Sequence, residues 1–148
     1  MSTSPLIDRR HLDFVLRDLL DAGQLSRYPR FAEHSRDTFD AAIDLAHRIA
    51  VEKFLPHNRK SDLNEPQLVD GHVRLIPEIG EALRAYNNAG FTAVMADVDK
   101  GGLQLPFVIA TACDALFAAA NLGTSAYPAL LSVCGLRNSS TYSGMPTP

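Results

Sequence analysis

Gly101-Gly102-Leu103-Gln104-Leu105-Pro106-Phe107-Val108-Ile109-Ala110-Thr111-Ala112-Cys113-Asp114-Ala115-Leu116-Phe117-Ala118-Ala119-Ala120-Asn121 and the residues after it to Leu136 carry one charged side chain, Asp114, in a chain that is 21% charged. A stretch so poor in charge has to be buried, and its punctuation reads as two short apolar helices. The first spans Phe107 to Asn121 after Pro106, a residue suited to a first helical turn where its missing N–H costs nothing. The second spans Ala126 to Cys134, with Thr124 or Ser125 placed to cap its orphan amides. Both are apolar nearly all round, so they belong inside a larger helical assembly or inside a membrane. The membrane alternative is disfavoured because Asp114 would cost on the order of 2.5–3.5 kcal/mol at a bilayer centre. Asn121, Gly123, Thr124, Ser125 and Pro128 also interrupt the run. A helical hairpin in a water-soluble domain fits better.

Working outward, the chain of 148 residues is one domain by length, short for an enzyme with its own cofactor fold. The net charge of -3 comes without a basic block, so nucleic acid is not indicated as a partner. Two cysteines, Cys113 and Cys134, have no C-x-x-C spacing, and the start lacks a secretory pattern, so the cytoplasm is the default compartment. Periodicity predicts an amphipathic helix from about His11 to Ala22, closed by Gly23. A clearer helix follows, with Phe39, Ala42, Ile43, Ala46, Ile49, Ala50 and Phe54 inward, Arg36, Asp40, Asp44, Arg48 and Glu52 outward, and Pro56 as its end. His57 to Pro66 reads as an irregular connection. Asp70-Gly71 between β-branched runs predicts a type I′ hairpin, since both central residues need positive φ. Pro77 opens a helix that Gly90 closes, with Ile79, Leu83 and Tyr86 as its inner stripe. The tail from Arg137 has no apolar period and reads as disordered. The expected fold class is all-α, five or six helices with one small β-hairpin. Its parts are an N-terminal helix and linker (1–30), a helical domain (31–135) and a tail (136–148).

The search for chemistry is mostly negative. His11, His34, His47, His57 and His72 are never three or four residues apart, so no helix face presents a metal pair. No nucleophile elbow, P-loop or dinucleotide fingerprint occurs, and Gly101-Gly102 alone does not cradle phosphate. Asn138-Ser139-Ser140 matches a glycosylation acceptor by chance. Asp114 is read as a carboxylate at a partly wet edge or paired to an arginine, because burying it unpaired would cost several kcal/mol. Cys113 is read as a small core residue.

In order along the chain stand Ile49-Ala50-Val51-Glu52-Lys53-Phe54-Leu55-Pro56, Asp70-Gly71-His72-Val73, Ala89-Gly90-Phe91, Gly101-Gly102-Leu103-Gln104-Leu105-Pro106 and Ala118-Ala119-Ala120-Asn121. This succession, over residues 31 to 131, resembles the N-terminal helical domain of acyl-CoA dehydrogenases. The opening from Pro5-Leu6-Ile7-Asp8 to Phe14-Val15-Leu16 is similar to the extra N-terminal helix of the larger, methylthiopropanoyl-CoA dehydrogenase-like branch. The resemblance implies a flavoprotein of fatty acid β-oxidation type. Its FAD takes a hydride from the acyl β-carbon while a glutamate removes the α-proton, giving a 2-enoyl-CoA. It also implies that the acyl-CoA substrate meets one wall from this domain, carried here by Ser125, Pro128, Ala129 and Ser132, which are spaced to share a helix face. Ordinary helix packing is the competing role for the same four. Family members continue into a β-rich domain that holds much of the flavin and a second helical domain that carries the glutamate. The ending after Leu131 therefore reads as a truncated or frame-shifted fragment, inactive alone, with no catalytic, cofactor or metal residue of its own. The alternative is a non-enzymatic helical interaction domain whose apolar surface takes a partner chain or a second copy.

Overall fold

The computed structural model describes residues 6–130. It is mostly helical, with one two-stranded antiparallel hairpin. The first helix, α1 (Arg9–Asp13), starts at Asp8, whose carboxylate accepts from the Arg10 amide, and runs on through a wider turn over Phe14–Leu19. It ends at Asp21, which takes the left-handed conformation at φ 45°, and not at Gly23 as the sequence suggests. Aspartate tolerates that region because its short side chain is lightly hindered there.

The central pair is α2 (Arg36–Ile49) with α5 (Phe107–Ala120), the most extensive helix contact in the structure. α2 opens on a capping box: Ser35 Oγ accepts from the Thr38 amide at 3.3 Å, and Thr38 Oγ1 accepts from the Ser35 amide at 2.8 Å. Its expected inner stripe is buried at Phe39, Ile43, Ala46, Ala50 and Phe54, with Ala42 and Ile49 half-buried beside it. The last part, Ala50–Phe54, widens so that the Leu55 amide bonds to the Ala50 carbonyl, five residues back. Pro56 explains this, because it has no N–H for a regular turn and its ring crowds the carbonyl four residues earlier. The proline bends the helix without ending helical structure. A tight turn (Leu55–His57) leads directly into α3 (Asn58–Leu63), where the sequence suggests an irregular connection. Ser61 Oγ and Asn64 Nδ2 bond to backbone carbonyls of this stretch, satisfying it locally.

The hairpin pairs β1 (Gln67–Val69) with β2 (His72–Arg74) in the register Leu68 opposite Val73. Asp70 and Gly71 both have positive φ, 51° and 75°, as a type I′ turn demands. α4 (Pro77–Asn88) begins on Pro77 and is closed by Gly90 at φ 83°. Its buried positions are Ile79, Ala82 and Tyr86, while Leu83 is only half-buried.

Between α4 and α5 the chain folds back on itself. Leu103, Gln104 and Leu105 donate to the Ala93, Ala96 and Val94 carbonyls at 2.9 to 3.2 Å, so residues 91–105 form a compact loop. The Gln104 side-chain amide donates to the Arg30 carbonyl, and His34 Nε2 lies 3.1 Å from the Gln104 carbonyl, which straps the linker before α2 onto this loop. α5 follows Pro106, which precedes the first turn instead of occupying it. Seven of its residues are buried, Ile109, Ala110, Ala112, Cys113, Leu116, Phe117 and Ala120. A last helix, α6 (residues 122–130), reaches the end of the described residues. It begins earlier than the expected 126, because Asn121 adopts an extended conformation and its Oδ1 accepts from the Thr124 amide at 3.0 Å. Asn121 is the cap, not Thr124 or Ser125.

Leu16 and Ala22 of the N-terminal segment join the same core as α2, α4 and α5. Arg9 pairs with Asp13 and Asp44, and Arg17 with Asp40, tying that segment to α2. Such half-exposed pairs stabilise little singly, and their role is to orient α1 against α2. The apolar segment is not buried throughout: Phe107, Leu122 and Leu130 are 73%, 71% and 67% exposed. Among the described residues, nothing covers the outer faces of α5 and α6 at those points. No helix among the described residues is long and apolar enough to cross a membrane.

Candidate functional site: an apolar cavity between three helices

The aromatic centre of the core lies at the foot of α4. Phe117 stands 4.9 Å from Phe54, 4.9 Å from Tyr86 and 5.2 Å from Phe91, ring centre to ring centre. Tilted and edge-to-face pairs at these separations add to the burial of the rings. Tyr86 and Phe117 also form the floor of a cavity of about 350 Å³ whose far wall is α6. Three of the four residues proposed for an acyl wall, Ser125, Pro128 and Ala129, line this cavity. They meet there because positions three and four apart share a helix face. Ser132 lies outside the described residues.

The lining is nearly all carbon. Ser125 does not offer a free donor, since its hydroxyl donates to the Leu122 carbonyl at 3.0 Å within its own helix. Asp114, on α5, sits at the rim and is exposed, so the wet-edge reading describes it and no arginine ion pair to it is seen among the described residues. The Tyr86 hydroxyl donates to Asp114 Oδ1 at a long 3.4 Å. The apolar surroundings hold the Asp114 carboxyl above its ordinary value, with the Tyr86 contact acting weakly in the other direction. Burial, and then the negative charge of Asp114, push the Tyr86 hydroxyl up, so it stays protonated as a donor. Cys113 is fully buried and burial pushes its thiol up to about 12, which removes thiolate reactivity at neutral pH.

On an adjoining face α6 is held by a buried polar clasp. His57 Nε2 lies 2.9 Å from Thr124 Oγ1, and the two residues are 3% and 1% exposed. Asn121 Nδ2 donates to the Phe54 carbonyl and to Ser61 Oγ, both at 3.3 Å. The turn forced by Pro56 thus delivers a histidine and a free carbonyl to the start of α6. In the sequence His57 reads only as a histidine without a metal partner and Asn121 only as an interruption of an apolar run. No local signal joins His57 to a threonine 67 positions later.

No group of three His, Cys, Asp or Glu side chains among the described residues is placed to hold a metal ion. A flavin dinucleotide does not fit this cavity either. Its pyrophosphate calls for cations or open helix-terminal amides, whereas the lining has no Lys or Arg and the Thr124 amide of α6 is taken by Asn121. The wall suits a hydrocarbon chain. No protein-family model matches the chain, and no curated protein matches it.

Proposed function

We propose that this chain is the N-terminal helical domain of a cytoplasmic, FAD-dependent acyl-CoA dehydrogenase and gives that enzyme one wall of its acyl pocket. The observation that carries the reading is the meeting of Ser125, Pro128 and Ala129 with Tyr86 and Phe117 around one apolar cavity. Its size falls at the small end of ligand pockets, roughly 300–1,000 Å³, and its lining rewards burial of apolar surface over polar recognition. In this reading the flavin and the base that abstracts the α-proton are held outside the described residues. The chain's own task is to desolvate and align the acyl group.

Titration with octanoyl-CoA tests this, followed by methyl NMR of the alanines. Ala118, Ala126 and Ala129 line the cavity, and their methyl signals should shift with octanoyl-CoA and stay in place with CoA alone. Equal shifts with CoA alone, or none with octanoyl-CoA, overturn the acyl reading. A second reading, a docking face for a partner chain, draws on the exposed Leu122 and Leu130 at the rim of the same cavity. Under it, Leu122→Glu with Leu130→Glu abolishes self-association in sedimentation, and acyl-CoA leaves the alanine methyls unmoved.

A further inference from the structure

We infer that a second, polar cavity between α3 and the start of α6 is a binding site for a neutral pyranose sugar. The inference is independent of the acyl-pocket reading, because the two cavities share no lining residue and lie on different faces of α6.

One short polar stretch supplies most of this cavity of about 250 Å³. Asn58, Ser61 and Asp62 share a face of α3 at steps of three and four, and Asn64 and Glu65, just past its end, line the same space. The opposite wall is α6, with the half-buried ring of Tyr127. Between the two helices lies a buried floor of Asn121 and Thr124, each 1% exposed. Asn121 Nδ2 donates to Ser61 Oγ and to the Phe54 carbonyl, both at 3.3 Å, and its Oδ1 accepts the Thr124 amide at 3.0 Å. These bonds tie α3 to α6, so the cavity is formed before any ligand arrives and little ordering is needed on binding.

The chemistry of the lining selects the ligand. Among the described residues around it there is no Lys, Arg or His, so a phosphate or carboxylate would meet the charges of Asp62 and Glu65 without a counter-charge. No three ligating side chains among the described residues are placed for a metal ion. The two carboxylates accept hydrogen bonds and cannot donate them, whereas the Asn58 amide and the Tyr127 hydroxyl can do both. Asn64 donates its Nδ2 to the Lys60 carbonyl at 2.8 Å, which leaves Oδ1 as a further acceptor. A ring with adjacent hydroxyls uses this whole set: each hydroxyl donates to a carboxylate or amide oxygen, accepts from an amide or phenol, and the C–H face of the ring lies on Tyr127. An ammonium ion would use the acceptors alone. The volume is below the usual range for drug-sized ligands, roughly 300–1,000 Å³, and suits one ring in place of a chain.

The full chain, labelled with ¹⁵N, is titrated with D-glucose, D-galactose and D-mannose through the millimolar range, and with putrescine as the ammonium comparison. At least one of the sugars should shift the backbone amides of residues 58–65 and 123–127, and the side-chain amide of Asn58, along a saturating curve. Asp62→Ala and Glu65→Ala should each weaken that binding about tenfold, through the loss of charge-assisted hydrogen bonds. Both residues are exposed, so an unchanged melting temperature should accompany the loss of affinity. Tyr127→Ala should weaken binding as well; should it fail to fold, the two carboxylate variants decide. The inference is overturned if none of the three sugars gives saturating shifts at these residues, if putrescine gives them and the sugars do not, or if the double variant Asp62→Ala with Glu65→Ala folds and binds the sugar as wild type does.

Discussion

A Cβ atom on Gly102 would stand 2.1 Å from the carbonyl oxygen of Ala96. The Ala93 carbonyl oxygen would be 2.7 Å away, and both atoms are backbone that cannot swing aside. Those carbonyls accept the Leu103 and Gln104 amides, so the loop that precedes α5 closes only with glycine at this point. Gly102→Ala should lower stability by about 1–3 kcal/mol through overpacking. Gly23→Ala is the control, since nothing lies within 4 Å of its Cβ and its φ is not positive. It should be neutral or stabilise by about 0.4–1 kcal/mol by reducing the freedom of the unfolded chain. Urea unfolding followed at 222 nm measures both; equal effects would show that the loop adapts around Gly102.

Phe117→Ala should destabilise by about 3–5 kcal/mol and Leu116→Ala by about 2–5 kcal/mol, the lost transfer energy plus the cavity left behind. Phe117 touches three aromatic rings and both residues are at most 2% exposed. Phe107→Ala, at 73% exposure on the same helix, should cost less than about 0.5 kcal/mol. Denaturant midpoints at constant slope provide the comparison, and a loss below 1 kcal/mol at Phe117 would remove it from the core.

Cys113 should be silent toward thiol reagents in the folded protein. The chain has two cysteines, so the measurement is made on Cys134→Ser. Reaction with Ellman's reagent at pH 8 should then be slow and should accelerate with urea in step with unfolding. The thiol is buried and pushed up to about 12, so thiolate forms only when the chain opens. Rapid labelling of the folded protein would contradict the burial.

Asp114 is expected to make stability pH-dependent in a defined direction. Its carboxyl titrates above its ordinary value when folded, because of desolvation, so the folded state binds its proton more tightly than the unfolded chain does. Stability from this group is therefore greatest in acid, and is lost as pH rises from the unfolded value, about 3.9, through the folded one. Asp114→Asn removes that loss. It should raise the melting temperature at pH 7 and leave it unchanged below pH 3, where both states are protonated in the wild type. A difference between the two chains that does not vary with pH would show that Asp114 is held by fixed packing and not by its charge.

Helix α2, the Asp70-Gly71 hairpin and the Pro77-to-Gly90 helix were each legible because the signal is contained in a few neighbouring residues. Phe39, Ile43, Ala46, Ala50 and Phe54 repeat at the helical period, and Asp70 and Gly71 are the residue types that tolerate positive φ. Boundaries were less legible where two local preferences compete. Pro56 can stop a helix or widen it, and here the chain widens over Ala50–Phe54 and turns directly into α3. Likewise Asn121, Thr124 and Ser125 are all good caps, and the outcome turned on which side chain reached an unpaired amide.

The chain's local chemistry accounts for its helices, its hairpin and the shared face of Ser125, Pro128 and Ala129, because periodicity and backbone preference act over one or two turns. The cavity those residues face is a different kind of fact. Tyr86 and Phe117 reach it from α4 and α5, and His57 meets Thr124 across 67 positions, only after α2 has packed on α5 and excluded water from between them. Pairings of that range follow from the three-dimensional competition for buried volume and for hydrogen-bond partners, which no window of neighbouring residues contains.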